Sequence, residues 1–261
     1  MNLPKSIAIT CSALIALALS GNGLSTKAAE MRSGNRTFTD WCRQKASLSP
    51  ESKHTVEVLL QVAETTECDA ANQKLSSLTE LDLSNNQISD LKPLQSLTNL
   101  IGIYLSNNKI NDIKPLESLT NLVGISLDKN QISDIKPLES LTHLTALDLG
   151  FNKINDIKLL ESLTNLTYLS LYYNKINDIK PLESLTKLTS LSLVANNISD
   201  IKPLESLTNL TELDLDNNQI KDIKPLQSLT KLTSLSLSGN PIAPKTCPLK
   251  PESICKWEPT N

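Results

Sequence analysis

The sequence predicts an α/β solenoid: an arc with a parallel β-sheet on its concave face, short 3₁₀ or turn segments on its convex face, a helical N-terminal cap and a looped C-terminal cap. Three observations predict it. The pattern LxxLxLxxNxI occurs eight times, each copy 22 residues after the last, from residues 78–88 to residues 232–242. The segments joining the copies are nearly identical, and six carry a proline (Pro93, Pro115, Pro137, Pro181, Pro203 and Pro225) that excludes a long helix. A pair of cysteines stands on each side of the array. A strict period of this length marks units that bury their apolar face only by stacking on neighbours. Such a stack presents one long face, so its shape points to binding.

The elements follow in chain order. Residues 1–29 read as a signal peptide: Lys5, an apolar run over residues 7–19, then small and polar residues. The run is too short for a comfortable bilayer span. Small residues at 18–20 and at 26–28 leave two cleavage sites open. After cleavage no membrane insertion is expected, and the protein is placed outside the cytoplasm, secreted or periplasmic.

Residues 30–77 read as the N-terminal cap. Over residues 49–63 a helix is predicted, with Ser49 as its cap, Pro50 in its first turn and Val56, Leu59, Leu60 and Ala63 as an apolar stripe. A second short helix is expected from Asp69, with Phe38 and Trp41 sealing the lid. Residues 78–242 hold the eight units. In residues 243–261, Pro244, Pro248 and Pro251 exclude regular structure and leave a looped lid.

Cys42 and Cys68 precede the units; Cys247 and Cys255 follow them. Seven strand spacings of roughly 4.8 Å separate the two ends by more than about 30 Å. A disulfide tolerates only about 7 Å between α-carbons, so the pairs are Cys42–Cys68 and Cys247–Cys255. Two bridges behind a signal peptide fit an oxidising compartment.

Within a unit the strand alternates. Leu81 and Leu83 point into the stack while Glu80, Asp82 and Ser84 point out. The asparagines from Asn86 to Asn240 fall where the chain turns inside the stack, and their amides satisfy backbone groups that cannot reach water. On the convex side Asp178, Lys180 and Glu183 exemplify rows of charge read as solvated surface. The fourth unit departs from the rest, with Leu159 in the place of proline.

Eight LxxLxLxxNxI cores joined by segments such as DIKPLESLTNL resemble leucine-rich repeats of the 22-residue, internalin-like class. The resemblance covers residues 78–242. It implies a leucine-rich repeat arc that binds partner proteins on its strand face, of a secreted bacterial type. Two departures count. No immunoglobulin-like domain or cell-wall anchor is read after the repeats, and disulfide-bearing lids differ from the family's. An exported binding module is therefore expected in preference to a host-invasion factor; a cell-surface adhesin or structural envelope component is the alternative.

Partner choice is expected at the variable positions of the sheet face. The aromatics of the array all fall there: Tyr104, Phe151, Tyr168, Tyr172 and Tyr173. Exposed rings clustered near the middle of a concave surface are the usual material of an interface hot spot. The same face carries Asp128, Asp148, Asp214 and Asp216, with Glu80, Asp82 and Glu212, against one basic residue, Lys129. The expected partner is another protein or peptide, neutral to basic at the contact. The formal net charge of −3 gives no reason to propose nucleic acid. A monomer is expected.

No catalytic, metal or cofactor site is read. The two histidines, His54 on the cap helix and His143 in a convex-side slot, have no nucleophile or orienting acid placed by the repeat geometry. The leucine-filled interior leaves no cavity for a substrate.

Overall fold

The computed structural model describes residues 36–258. The predicted signal peptide over residues 1–29, and residues 30–35 of the predicted cap, lie outside the described residues. The array forms one parallel sheet of nine short strands in chain order: β1 (Glu80–Asp82), β2 (Gly102–Tyr104), β3 (Gly124–Ser126), β4 (Ala146–Asp148), β5 (Tyr168–Ser170), β6 (Ser190–Ser192), β7 (Glu212–Asp214), β8 (Ser234–Ser236) and β9 (Cys255–Lys256). Register does not slip from β1 to β8. Leu81 faces Ile103, Ile103 faces Ile125, and so on to Leu235. A slip of one residue would turn every inward leucine to solvent, and the constant 22-residue unit gives no occasion for one.

The core is a column of aliphatic side chains running the length of the arc. Leu147, Leu149, Ile154, Leu160, Leu163 and Leu166 of the fourth unit are all fully buried, as are their counterparts in neighbouring units. Each such burial contributes about 1.5–3 kcal/mol, and no unit could realise it alone.

The asparagines form the expected ladder. Asn108 donates from Nδ2 to the Leu105 carbonyl of its own unit at 3.0 Å and to the Leu83 carbonyl of the preceding one at 2.9 Å. Its Oδ1 accepts from the Ile88 N–H at 2.8 Å. The pattern repeats through Asn130, Asn174, Asn196 and Asn218. One side chain thus satisfies three buried backbone groups and ties two units together.

The convex wall is built from 3₁₀ turns such as Lys114–Ser118 and Lys180–Ser184. The aspartates that precede them are more than solvated charge: Asp112 Oδ1 accepts from the Lys114 N–H at 2.9 Å, and the same bond recurs at Asp134, Asp178 and Asp200. In the fourth unit Lys158–Ser162 forms the same turn around Leu159, with Asp156 bonding the Lys158 N–H at 2.9 Å. The aspartate and the inward leucines therefore set the turn, and proline is only compatible with it. A second amide ladder lies alongside: Asn121, Asn165 and Asn209 donate to the carbonyls of Thr98, Thr142 and Thr186.

Both ends are closed. At the N-terminus α1 (Phe38–Arg43), α2 (Pro50–Ala63) and α3 (Cys68–Ser76) pack together, with Phe38, Trp41, Val56, Leu59 and Leu75 buried. Ser49 caps α2, accepting from the Ser52 N–H. Helix α2 also serves the first unit in place of a preceding repeat: His54 Nε2 lies 2.6 Å from the Asn86 carbonyl and Thr55 Oγ1 donates to the Asp90 carbonyl at 2.7 Å. Cys42 is bonded to Cys68 and Cys247 to Cys255, with α-carbons 5.6 and 5.8 Å apart.

One expectation fails at the C-terminus. The segment after residue 243 is not devoid of regular structure, because β9 pairs with β8 and extends the sheet. Cys255 and Lys256 lie in the proline-free stretch between Pro251 and Pro259, and the Leu237 N–H bonds the Lys256 carbonyl at 2.9 Å.

Candidate functional site

Side chains of the sheet face stand in columns, because equivalent residues of successive units sit side by side: Ala146 beside Tyr168, Asp148 beside Ser170. Small and large residues can therefore interlock across units, and at the centre of the face they do. A Cβ on Gly150 would lie 1.9 Å from Cε1 of Tyr172. The Tyr172 ring thus fills the space over Gly150, one unit back, and its hydroxyl donates to Asp128 Oδ2, two units back, at 3.2 Å.

This corrects the exposure expected for the central aromatics. Tyr172 is 7% exposed and Tyr168 6%, so neither ring stands free on the surface, although both remain on the face and outside the leucine core. Tyr104 is half-buried. Only Phe151 and Tyr173, at 51% and 45%, are exposed large apolar side chains among the described residues. The carboxylates divide in the same way: Asp148 and Asp216 are buried, whereas Asp128 and Asp214 are half-buried.

The buried carboxylates have reasons for being there. Asp148 accepts from the Gly150 N–H at 3.0 Å, holding the backbone that Tyr172 covers. Burial pushes its carboxyl up to about 7, and the nearby Asp128 charge adds to the rise. Burial likewise lifts the Tyr172 hydroxyl above the usual phenol range, with both aspartates adding to it, so it stays protonated as donor to Asp128. Asp216 accepts from Ser236 Oγ and from the Ser238 N–H, each at 2.7 Å. Burial first, and Asp216 next, push Asp214 up to about 6.

Toward the C-terminal end the face opens. A depression of about 150 Å³ is lined by Tyr168, Ser190, Ser192, Glu212, Asp214 and Lys256. Lys256 was missed by sequence reasoning because β9 was not expected; the signal was Cys255-Lys256-Trp257, a short alternation between Pro251 and Pro259. Of the predicted contact residues the fold gathers Asp128, Asp148, Tyr172, Tyr173 and Phe151 at the centre. Tyr168 and Asp214 border the depression.

Among the described residues no group of three or more histidine, cysteine, aspartate or glutamate side chains is placed to hold a metal ion.

Comparison with known proteins agrees with the geometry. The profile of the two-copy leucine-rich repeat family matches residues 76–118, 120–162, 164–206 and 208–250, more than half of the chain. No curated protein sequence matches it. Among solved structures, internalin InlF of Listeria monocytogenes is 40% identical with a TM-score of 0.63, covering 64% of this chain and 50% of that one. Internalin C2 of the same organism is 31% identical with a TM-score of 0.72, covering 81% and 93%. A leucine-rich repeat protein of Leptospira interrogans is 30% identical with a TM-score of 0.64, covering 72% and 50%. The chain thus spans about half the length of the first and third of these. Repeat, register and relatives converge: the chain belongs to the leucine-rich repeat family, in its 22-residue, internalin-like class.

Proposed function

We propose that this chain is an exported module that binds a protein or peptide on its concave sheet face. The observation that carries the reading is the open C-terminal half of that face, where Glu212, Asp214 and Lys256 border a depression beside the packed centre. Leucine-rich repeat proteins of this class generally mediate protein–protein contact. Two disulfides support an oxidising compartment. No helix among the described residues is long and apolar enough to cross a membrane.

Acidic residues outnumber basic ones on the face, with Glu80, Asp82 and Glu212 exposed. A ligand neutral to basic at the contact follows, with association slowing as salt rises. The test is retention from the organism's own envelope extract on immobilised, oxidised protein. The wild type and a convex-side Glu183→Lys variant should retain the same species, and Glu80→Lys/Glu212→Lys should lose it. Equal retention by all three would remove the concave face from the reading.

A further inference from the structure

The residue before each ladder asparagine shares one backbone state. From Asn85 to Gly239, all eight have φ between 51° and 69°. The cause is the ladder itself. At this position the N–H still bonds the next unit, as Phe151 does to the Tyr172 carbonyl at 2.6 Å and Tyr173 to the Val194 carbonyl at 2.7 Å, while the chain turns to bring the asparagine inside.

A left-handed backbone suits glycine and asparagine, and a bulky ring there is an outlier. Asn85, Asn107, Asn217 and Gly239 follow the preference. Lys129, Ala195, Phe151 and Tyr173 do not, and of these Phe151 and Tyr173, at φ 53° and 51°, carry bulky rings. These two do not serve the core, since about half of each ring is in water. The rings lie side by side with centroids 5.4 Å apart, and Tyr173 meets the buried Tyr172 edge-on at 6.1 Å. Strain kept at an exposed position, without return in packing, points to function.

The surroundings state the chemistry. Lys129 occupies the same position one unit before Phe151, and Lys109, Lys153 and Lys175 occupy the position two residues further on in units two, four and five. All four are exposed. No acid stands at either position in those units, and in units six to eight neither position carries a charge or a ring.

We propose that this exit edge is a second docking surface, for an acidic segment of a partner protein that carries an exposed apolar side chain. Phe151 and Tyr173 receive the apolar group, and Lys109, Lys129, Lys153 and Lys175 pair with its carboxylates. The surface runs along the edge of the concave face, where Phe151 and Tyr173 border its packed centre, and prefers the opposite charge. An anionic lipid surface is the lesser fit: it would approach along a broad plane and meet Asp128 on the adjoining face.

The test uses the oxidised protein and labelled synthetic peptides, read by fluorescence anisotropy. One peptide combines aspartate and glutamate with a central tryptophan; in the other each acid is replaced by lysine. The acidic peptide should bind roughly tenfold or more tightly than its basic counterpart. Phe151→Asn/Tyr173→Asn should abolish that preference while raising Tm, because asparagine is at ease in this backbone. Lys129→Gln/Lys153→Gln should weaken the acidic peptide and flatten its salt dependence. Glu80→Lys/Glu212→Lys should leave acidic-peptide binding in place, separating this surface from the concave one. Equal or absent binding of the two peptides overturns the proposal. So does binding retained by the double asparagine variant, or binding to phosphatidylglycerol vesicles in place of the peptide.

Discussion

Units three to five and units six to eight share one framework and differ in what their outward residues do to each other. In the first group Gly150 makes room for Tyr172, the ring reaches Asp128, and Asp148 is sealed beside them. In the second group Ser190, Ser192 and Ser234 are too short to cover their neighbours, and a depression remains. The difference teaches that exposure on a repeat face is a property of neighbouring pairs across units. A large residue beside a small one folds down and packs; short residues in sequence leave the face open.

The largest expected effect lies where the two groups should not differ. Asn174 and Asn218 make equivalent bonds: Nδ2 to Leu149 and Leu171, or to Leu193 and Leu215, with Oδ1 on Ile154 or Ile198. Replacing either by alanine strands three buried backbone groups and should cost about 3 kcal/mol in urea unfolding. Costs that diverge widely would show that the ladder is not uniform.

Next comes pH. The Asp148 carboxyl sits at about 7 in the folded chain against an ordinary 3.8, so the folded form holds a proton that the unfolded form lacks between those values. Stability contributed by that proton is lost as pH rises through the window. Wild type should therefore be more stable at pH 5.5 than at pH 8 by about 2 kcal/mol beyond the change seen in Asp148→Asn. Asp214, at about 6, gives a smaller difference confined to lower pH. A pH dependence unaltered in Asp148→Asn would mean that this carboxyl is solvated.

The smallest effect concerns the glycine. Gly150→Ala places a Cβ where the Tyr172 ring lies, and should cost about 1 kcal/mol while freeing the ring to solvent. Ser192→Ala, in the open group, should be neutral to within about 0.5 kcal/mol.

Much of the framework was readable from the chain alone. The period gave the register, the spacing gave the asparagine ladder, and the length of the array left one pairing of the cysteines. Ser49 and Pro50 marked the start of α2. What was not readable depends on contacts between units or on the ends. The burial of Tyr172 needed Gly150, its neighbour one repeat earlier, to be read with it. Asp148 was counted as surface charge because alternation puts it outward, although in the fold it is buried near Asp128, Ser170 and Tyr172. Strand β9 was hidden by the prolines that flank it, Pro251 before and Pro259 after. The strain at Phe151 and Tyr173 became visible only with φ values in hand.

The self-packed centre of the face is open to one decisive measurement, tyrosine nitration of the native, oxidised protein followed by peptide mass spectrometry. Tyr173 should be modified first, with Tyr168 and Tyr172 protected until the chain unfolds, and Gly150→Ala should release Tyr172. Modification of Tyr172 as fast as Tyr173 in the wild type would contradict the packing on which the account of this face is built.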